Sequence, residues 1–125
     1  MQKKQMREVF WVGDSKKRLL EFPDGVQQEI GYTLEGVQSG ITPHKAKPLK
    51  GFSGVYEIVS SYARDTYRAV YVVNLGNLIY VLPCFQKKST RGIQTPKREI
   101  DLIRRRLNAA RTLAQKEREN DRRKN

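Results

Sequence analysis

Arg68 and the pair Lys87-Lys88 are the residues of this chain best suited to chemistry. Arg68 stands near the start of Tyr67-Arg68-Ala69-Val70-Tyr71. Lys87-Lys88 stands just past Ile79-Tyr80-Val81-Leu82-Pro83-Cys84-Phe85. Both runs read as strands. Asn74-Leu75-Gly76-Asn77 between them is a turn signal, so they are expected to form an antiparallel hairpin. That pairing would fold the three cations toward one end of a sheet, which suits a phosphate. Arginine holds phosphate oxygens in a planar fork and stays charged. Lysine supplies a point charge or, where crowding by other cations lowers its pKa, a proton. The bland alternative for each is a solvated surface cation.

Other cations surround this pattern. Arg64 precedes Arg68 in the connecting loop, and Arg91 follows the lysine pair. Lys47 and Lys50 lie in residues 42–54, where two prolines and two glycines predict a loop. Phe85 sits beside the lysine pair and either stacks on a nucleobase or closes the core at a strand end.

The elements that must position these groups are read from local pattern. Residues 7–12 read as a first strand bounded by Gly13-Asp14. A short helix is expected over 16–21, stopped by Pro23. Asp24 opens a second, whose Val26, Ile30, Leu34 and Val37 form one stripe that Gly40 terminates. Strands are expected at 55–59, 66–73 and 77–82. Val70 to Val73 are apolar on both parities, as in a central strand covered on two faces. Thr95-Pro96 opens a last helix toward Glu119, with Ile100, Ile103, Leu107, Ala110 and Ala114 inward and Arg104-Arg105-Arg106-Arg111 outward. The order is strand, two helices, three strands, helix: an α+β fold with a small antiparallel, curved sheet, a helical hairpin and a C-terminal helix.

Composition sets limits. The length of 125 residues suits one domain over 1–119, with a basic, frayed tail at 120–125. Cys84 is the single cysteine, so no internal disulfide forms and a reducing compartment fits. In its apolar run it reads as core. Ligands for zinc are too few, and no metal or cofactor is expected. No apolar run approaches the ~20 residues of a membrane span, and no signal core follows Met1, so a cytoplasmic protein without membrane association is expected. The net charge is +12, of which residues 86–125 carry +9. Such a field favours a polyanion or an acidic protein partner.

Four motifs occur in a telling order: Leu49-Lys50-Gly51 leading to Gly54-Val55-Tyr56-Glu57-Ile58, then Tyr67-Arg68-Ala69-Val70-Tyr71, then Phe85-Gln86-Lys87-Lys88-Ser89-Thr90, then Thr95-Pro96-Lys97-Arg98-Glu99-Ile100. Over about residues 7–111 the chain resembles the RelE/ParE superfamily of bacterial toxins, with the phage-derived HigB-like group as the nearest branch. The resemblance implies a RelE-like fold and the toxin of a type II toxin–antitoxin pair. It implies ribosome-dependent, metal-independent cleavage of messenger RNA, and a cognate antitoxin, often a helix-turn-helix protein. ParE members keep the fold and inhibit DNA gyrase, so a gyrase-binding inhibitor is the alternative, and a degenerate nucleic-acid-binding module a third.

The resemblance assigns phosphate stabilisation to Arg68, at the family's Tyr-Arg strand position, and charge stabilisation or proton transfer to Lys88 and its neighbour Lys87. Arg64, Lys47, Lys50, Phe85 and Arg91 are then the expected RNA contacts. The chain departs from the family where lysines are replaced by Glu57 and Val59, and no tyrosine follows the basic turn. His44, the only histidine, is therefore the candidate base, with Tyr80 and Tyr62 as alternatives. Glu57 is read as an ion-pair partner rather than a base.

Overall fold

The computed structural model describes residues 6–88 and 95–124. The expected order holds, with one strand added: β1 (Val9–Trp11), α1 (Ser15–Leu20), α2 (Asp24–Gln38), β2 (Ala46–Pro48), β3 (Val55–Tyr62), β4 (Asp65–Val72), β5 (Ile79–Lys87) and α3 (Lys97–Lys124). One five-stranded sheet runs β1-β5-β4-β3-β2. β2 lies inside the expected loop, paired antiparallel with β3. Its central residue, Lys47, stands opposite Glu57.

The sheet is mixed rather than wholly antiparallel. β1 runs parallel to β5, Val9 facing Ile79 and Trp11 facing Val81. Arg7 fixes this end by donating to the backbone carbonyls of Val73, Gly76, Asn77 and Leu78 at 2.6–3.0 Å. It thereby closes the β4–β5 connection, whose carbonyls have no strand partner to satisfy them.

Both faces of β4 are covered, as its sequence predicts. On one side the stripe of α2 packs on Ile58, Ala69, Tyr71 and Val81. On the other, Ile103, Leu107, Ala110 and Ala114 of α3 pack on Val70, Val72, Tyr80 and Leu82. Arg106 is not on the outer face of α3. It is folded inward, donating to the Leu82 carbonyl at 3.0 Å and to the Asp14 carboxylate. That tie holds the Asp14 carboxyl below its ordinary pKa. Gly13 is required there: its φ is +58°, and a Cβ would stand 2.9 Å from the Arg106 guanidinium.

Two strands outrun their expected ends. β3 continues to Tyr62 and turns through Ala63 and Arg64 at φ +49° and +74°. This is a two-residue hairpin turn with both central residues left-handed and neither a glycine, a strained choice. β5 continues past Pro83 to Lys87, because that stretch pairs on one side only, with β4, and a missing N–H is tolerated on an edge. α3 runs through Lys124 rather than ending near Glu119. Among the described residues no helix is long and apolar enough to cross a membrane.

Candidate phosphate-binding site

Register decides which cations meet. Opposite β5, Tyr71 faces Val81 and Ala69 faces Cys84, so β5 carries one extra residue between these pairs. This bulge reverses the parity of the residues beyond it. Leu82 and Phe85 therefore both join the α3 side, while Cys84 joins the α2 side. Lys87, opposite Thr66, shares the α3 side with Arg68, which is opposite Phe85. On β3, Glu57 faces Val70 and Val59 faces Arg68, so Glu57 is on this side too.

Arg68, Glu57 and Lys87 thus converge on one face at one end of the sheet. Arg68 Nη1 donates to both carboxylate oxygens of Glu57 at 2.9 Å. Their side chains are only 14% and 11% exposed. Lys87 is 5% exposed. Its pKa lies below the ordinary lysine value, because burial penalises the ammonium and the Arg68 charge repels it, with Glu57 opposing. Among the described residues, two buried side-chain nitrogens have no hydrogen-bond partner: Arg68 Nε and Lys87 Nζ. Leaving a buried donor unmade costs about 1–3 kcal/mol, more for a charged group. Anionic oxygens are the partners that such charged donors pair with most strongly.

The periphery is cationic. Lys47 is exposed beside Glu57 across β2–β3, and Arg64 is exposed at the tip of the β3–β4 hairpin, at the Lys87 end. Lys50 is exposed in the turn beyond β2.

Other expected members lie elsewhere. Lys88 lines a separate groove of about 580 Å³, with Arg18, Tyr67, Gln86, Arg98 and Arg106. The strand alternation that turns Lys87 in turns its neighbour away. His44 lies just before β2, in a groove of about 600 Å³ beside α2 that it shares with Tyr32, Ile41 and Met6. That loop is pinned to α2 by Lys45–Glu29 at 3.1 Å. Neither His44 nor Lys88 joins the Arg68 cluster. Phe85 is 7% exposed and packed in the α3-side core, and it also lines the groove that holds Lys88. Tyr80 is buried with its hydroxyl donating to Glu117 at 3.4 Å, while Tyr62 is exposed. Cys84 is buried and burial pushes its thiol up to about 12, which fits a core residue. Arg91 lies outside the described residues. The carboxylate of Glu57 is the group that sequence reasoning placed only as a partner. Its position three residues past Gly54 on an edge-adjacent strand gave no local sign of the cluster.

Residues 17–108 match the family model of the phage-derived protein Gp49-like. The chain belongs to the Gp49-like family. Its match spans every residue of the cluster. Among solved structures, the Gp49-like chain is similar to the toxin RelE of E. coli, in a double arginine mutant in the free state. Identity is 19%, the TM-score is 0.52, and the alignment covers 67% of this chain and 84% of that one. The toxin–antitoxin complex RelBE2 of Mycobacterium tuberculosis aligns at 15% identity and TM-score 0.48, covering 66% and 99%. No curated protein matches. The Gp49-like chain therefore has the fold of RelE-like toxins.

Proposed function

We propose that this chain is the toxin of a type II toxin–antitoxin pair and that it cleaves messenger RNA on the ribosome at the Arg68–Glu57–Lys87 cluster. The observation that carries the reading is the pair of unpartnered donors, Arg68 Nε and Lys87 Nζ, on two buried cations of one sheet face. A scissile phosphodiester supplies the oxygens they lack. The electrostatics fit: Lys47 and Arg64 extend the positive field on either side.

The chemistry is transesterification. The ribose 2′-oxygen attacks the adjacent phosphorus, the bond to the 5′-oxygen breaks, and a 2′,3′-cyclic phosphate and a 5′-hydroxyl result. Arg68 balances the charge of the pentacoordinate phosphorus, since its guanidinium is fixed before the substrate arrives. The phosphate competes with Glu57 for Arg68, and the released carboxylate accepts the 2′-hydroxyl proton. Lys87 gives a proton to the departing 5′-oxygen, a role that its lowered pKa favours. A cognate antitoxin, expected to be a helix-turn-helix protein, neutralises the chain.

Expression of the chain alone, with labelled methionine incorporation followed for minutes after induction, tests the target. Translation should fall before any DNA-damage response, and primer extension should map cuts within a reporter message. Arg68→Ala should remove both effects. A DNA-damage response with intact messages would replace this reading by gyrase inhibition.

A further inference from the structure

A second cationic surface lies outside the cluster. One flank of α3, beside its buried stripe, carries Arg104, Arg111 and Arg118 at seven-residue steps, all exposed. With a rise of 1.5 Å per residue they stand about 10.5 Å apart, nearly in line. Arg105 and Arg122 flank the row. Apart from the inward Arg106–Asp14 tie, the ion pairs on this helix are long, Arg98–Glu99 and Arg104–Asp101 both at 3.8 Å, and offset little of its charge. Arg111 donates to Asn108, and Arg118 to the Ala114 carbonyl, so neither guanidinium is neutralised by these bonds. From Gln115 to Arg123 no residue is buried, so this end of the helix is not there to fill the core.

The row connects to the cluster. Lys47 stands opposite Glu57. Lys50 is exposed in the turn after β2, and Phe52 of the same turn carries the Arg104 guanidinium 5.4 Å from its ring centre. Cations therefore continue from the sheet face over this turn and along α3.

We propose that this track binds the phosphodiester backbone of folded RNA and holds the chain on its target independently of the cluster that cuts. The choice of ligand rests on the RNA-cleavage reading; the binding does not depend on the chemistry at Arg68. Guanidiniums each fit two phosphate oxygens, and a straight periodic row fits a polymer of phosphates. The exposed positions of α3 between 101 and 123 hold no apolar side chain larger than the methyls of Ala109 and Thr112. A membrane surface would need an apolar face for insertion, and a protein interface would need aromatic or aliphatic anchors.

The test is the salt dependence of binding to a fluorescein-labelled RNA hairpin and to small ribosomal subunits, between about 50 and 200 mM salt. The triple variant Arg104→Gln, Arg111→Gln, Arg118→Gln should lower the slope of log affinity on log salt by roughly 2–3 and weaken binding roughly tenfold or more. Circular dichroism should show α3 intact, and Lys16→Gln, which removes an exposed cation of α1 outside both the cluster and the row, should bind as the unaltered chain does. An unchanged slope in the triple variant overturns the proposal, as does a loss confined to anionic vesicles or polyglutamate. If the triple variant loses RNA binding while Arg68→Ala still arrests growth, the track stands and the cleavage reading fails.

Discussion

A single nitrogen of Arg68 donates to both oxygens of Glu57, in a pair that is almost fully buried. Desolvating two charges offsets most of their attraction, so such a pair adds little net stability, but removing one partner strands the other. Arg68→Ala should therefore destabilise the fold by about 3 kcal/mol as well as abolish activity. The double variant Arg68→Met, Glu57→Leu should recover most of that stability and none of the activity. Urea denaturation of the native chain, Arg68→Ala and the double variant, with message cleavage assayed on each, checks both halves.

Lys87→Met should stabilise the protein at neutral pH by about 1–3 kcal/mol, because it removes a buried ammonium without a partner. Burial and Arg68 depress the Lys87 pKa in the folded state. The unfolded chain therefore holds this proton more tightly, and stability rises with pH between the depressed value and 10.5. The advantage of the variant should shrink over that window. Thermal melts at several pH values test this, and inorganic phosphate should raise the melting temperature of the native chain but not of the variant.

The hairpin tip makes a separable prediction. Ala63 and Arg64 are both left-handed, where Asn-Gly is the favoured pair. Ala63→Asn with Arg64→Gly should raise stability by about 1–2 kcal/mol. It should also reduce message cleavage severalfold, since Arg64 borders the cluster. Chemical denaturation and primer extension on the same protein would reveal this opposition of stability and activity.

His44→Ala should leave cleavage within about twofold, since His44 lies beside α2 and outside the cluster. Lys88→Ala should cost far less than Lys87→Ala, which removes the group that the proposed mechanism sets at the reacting phosphate and should cost about 100-fold or more. Single-turnover rates for the three variants decide the matter. Equal losses at positions 87 and 88 would contradict the placement of the site.

The helices were legible because their signals are local. Val26, Ile30, Leu34 and Val37 are all buried, as are Ile103, Leu107, Ala110 and Ala114. Arg68 with a lysine from the next strand was legible too, because a hairpin brings neighbouring strands together. Which lysine was not. One extra residue near Pro83 turns Lys87 toward Arg68, and without it Gln86 and Lys88 would take that side. Nothing in the order of Leu82-Pro83-Cys84 announces such a bulge. β2 is three residues long and exists through its pairing with β3. The inward turn of Arg106 depends on Asp14, ninety-two positions away in the chain. These features depend on partners remote in sequence, and no window of neighbouring residues contains them.

The parallel pairing of β1 with β5 joins residues 9–11 to residues 79–81. During synthesis the first strand must wait for its partner. Lys87, the last member of the cluster, emerges later still. A nascent chain halted anywhere before that point lacks the third member of the Arg68–Glu57–Lys87 cluster, so the cluster is assembled only after the whole sheet has been made.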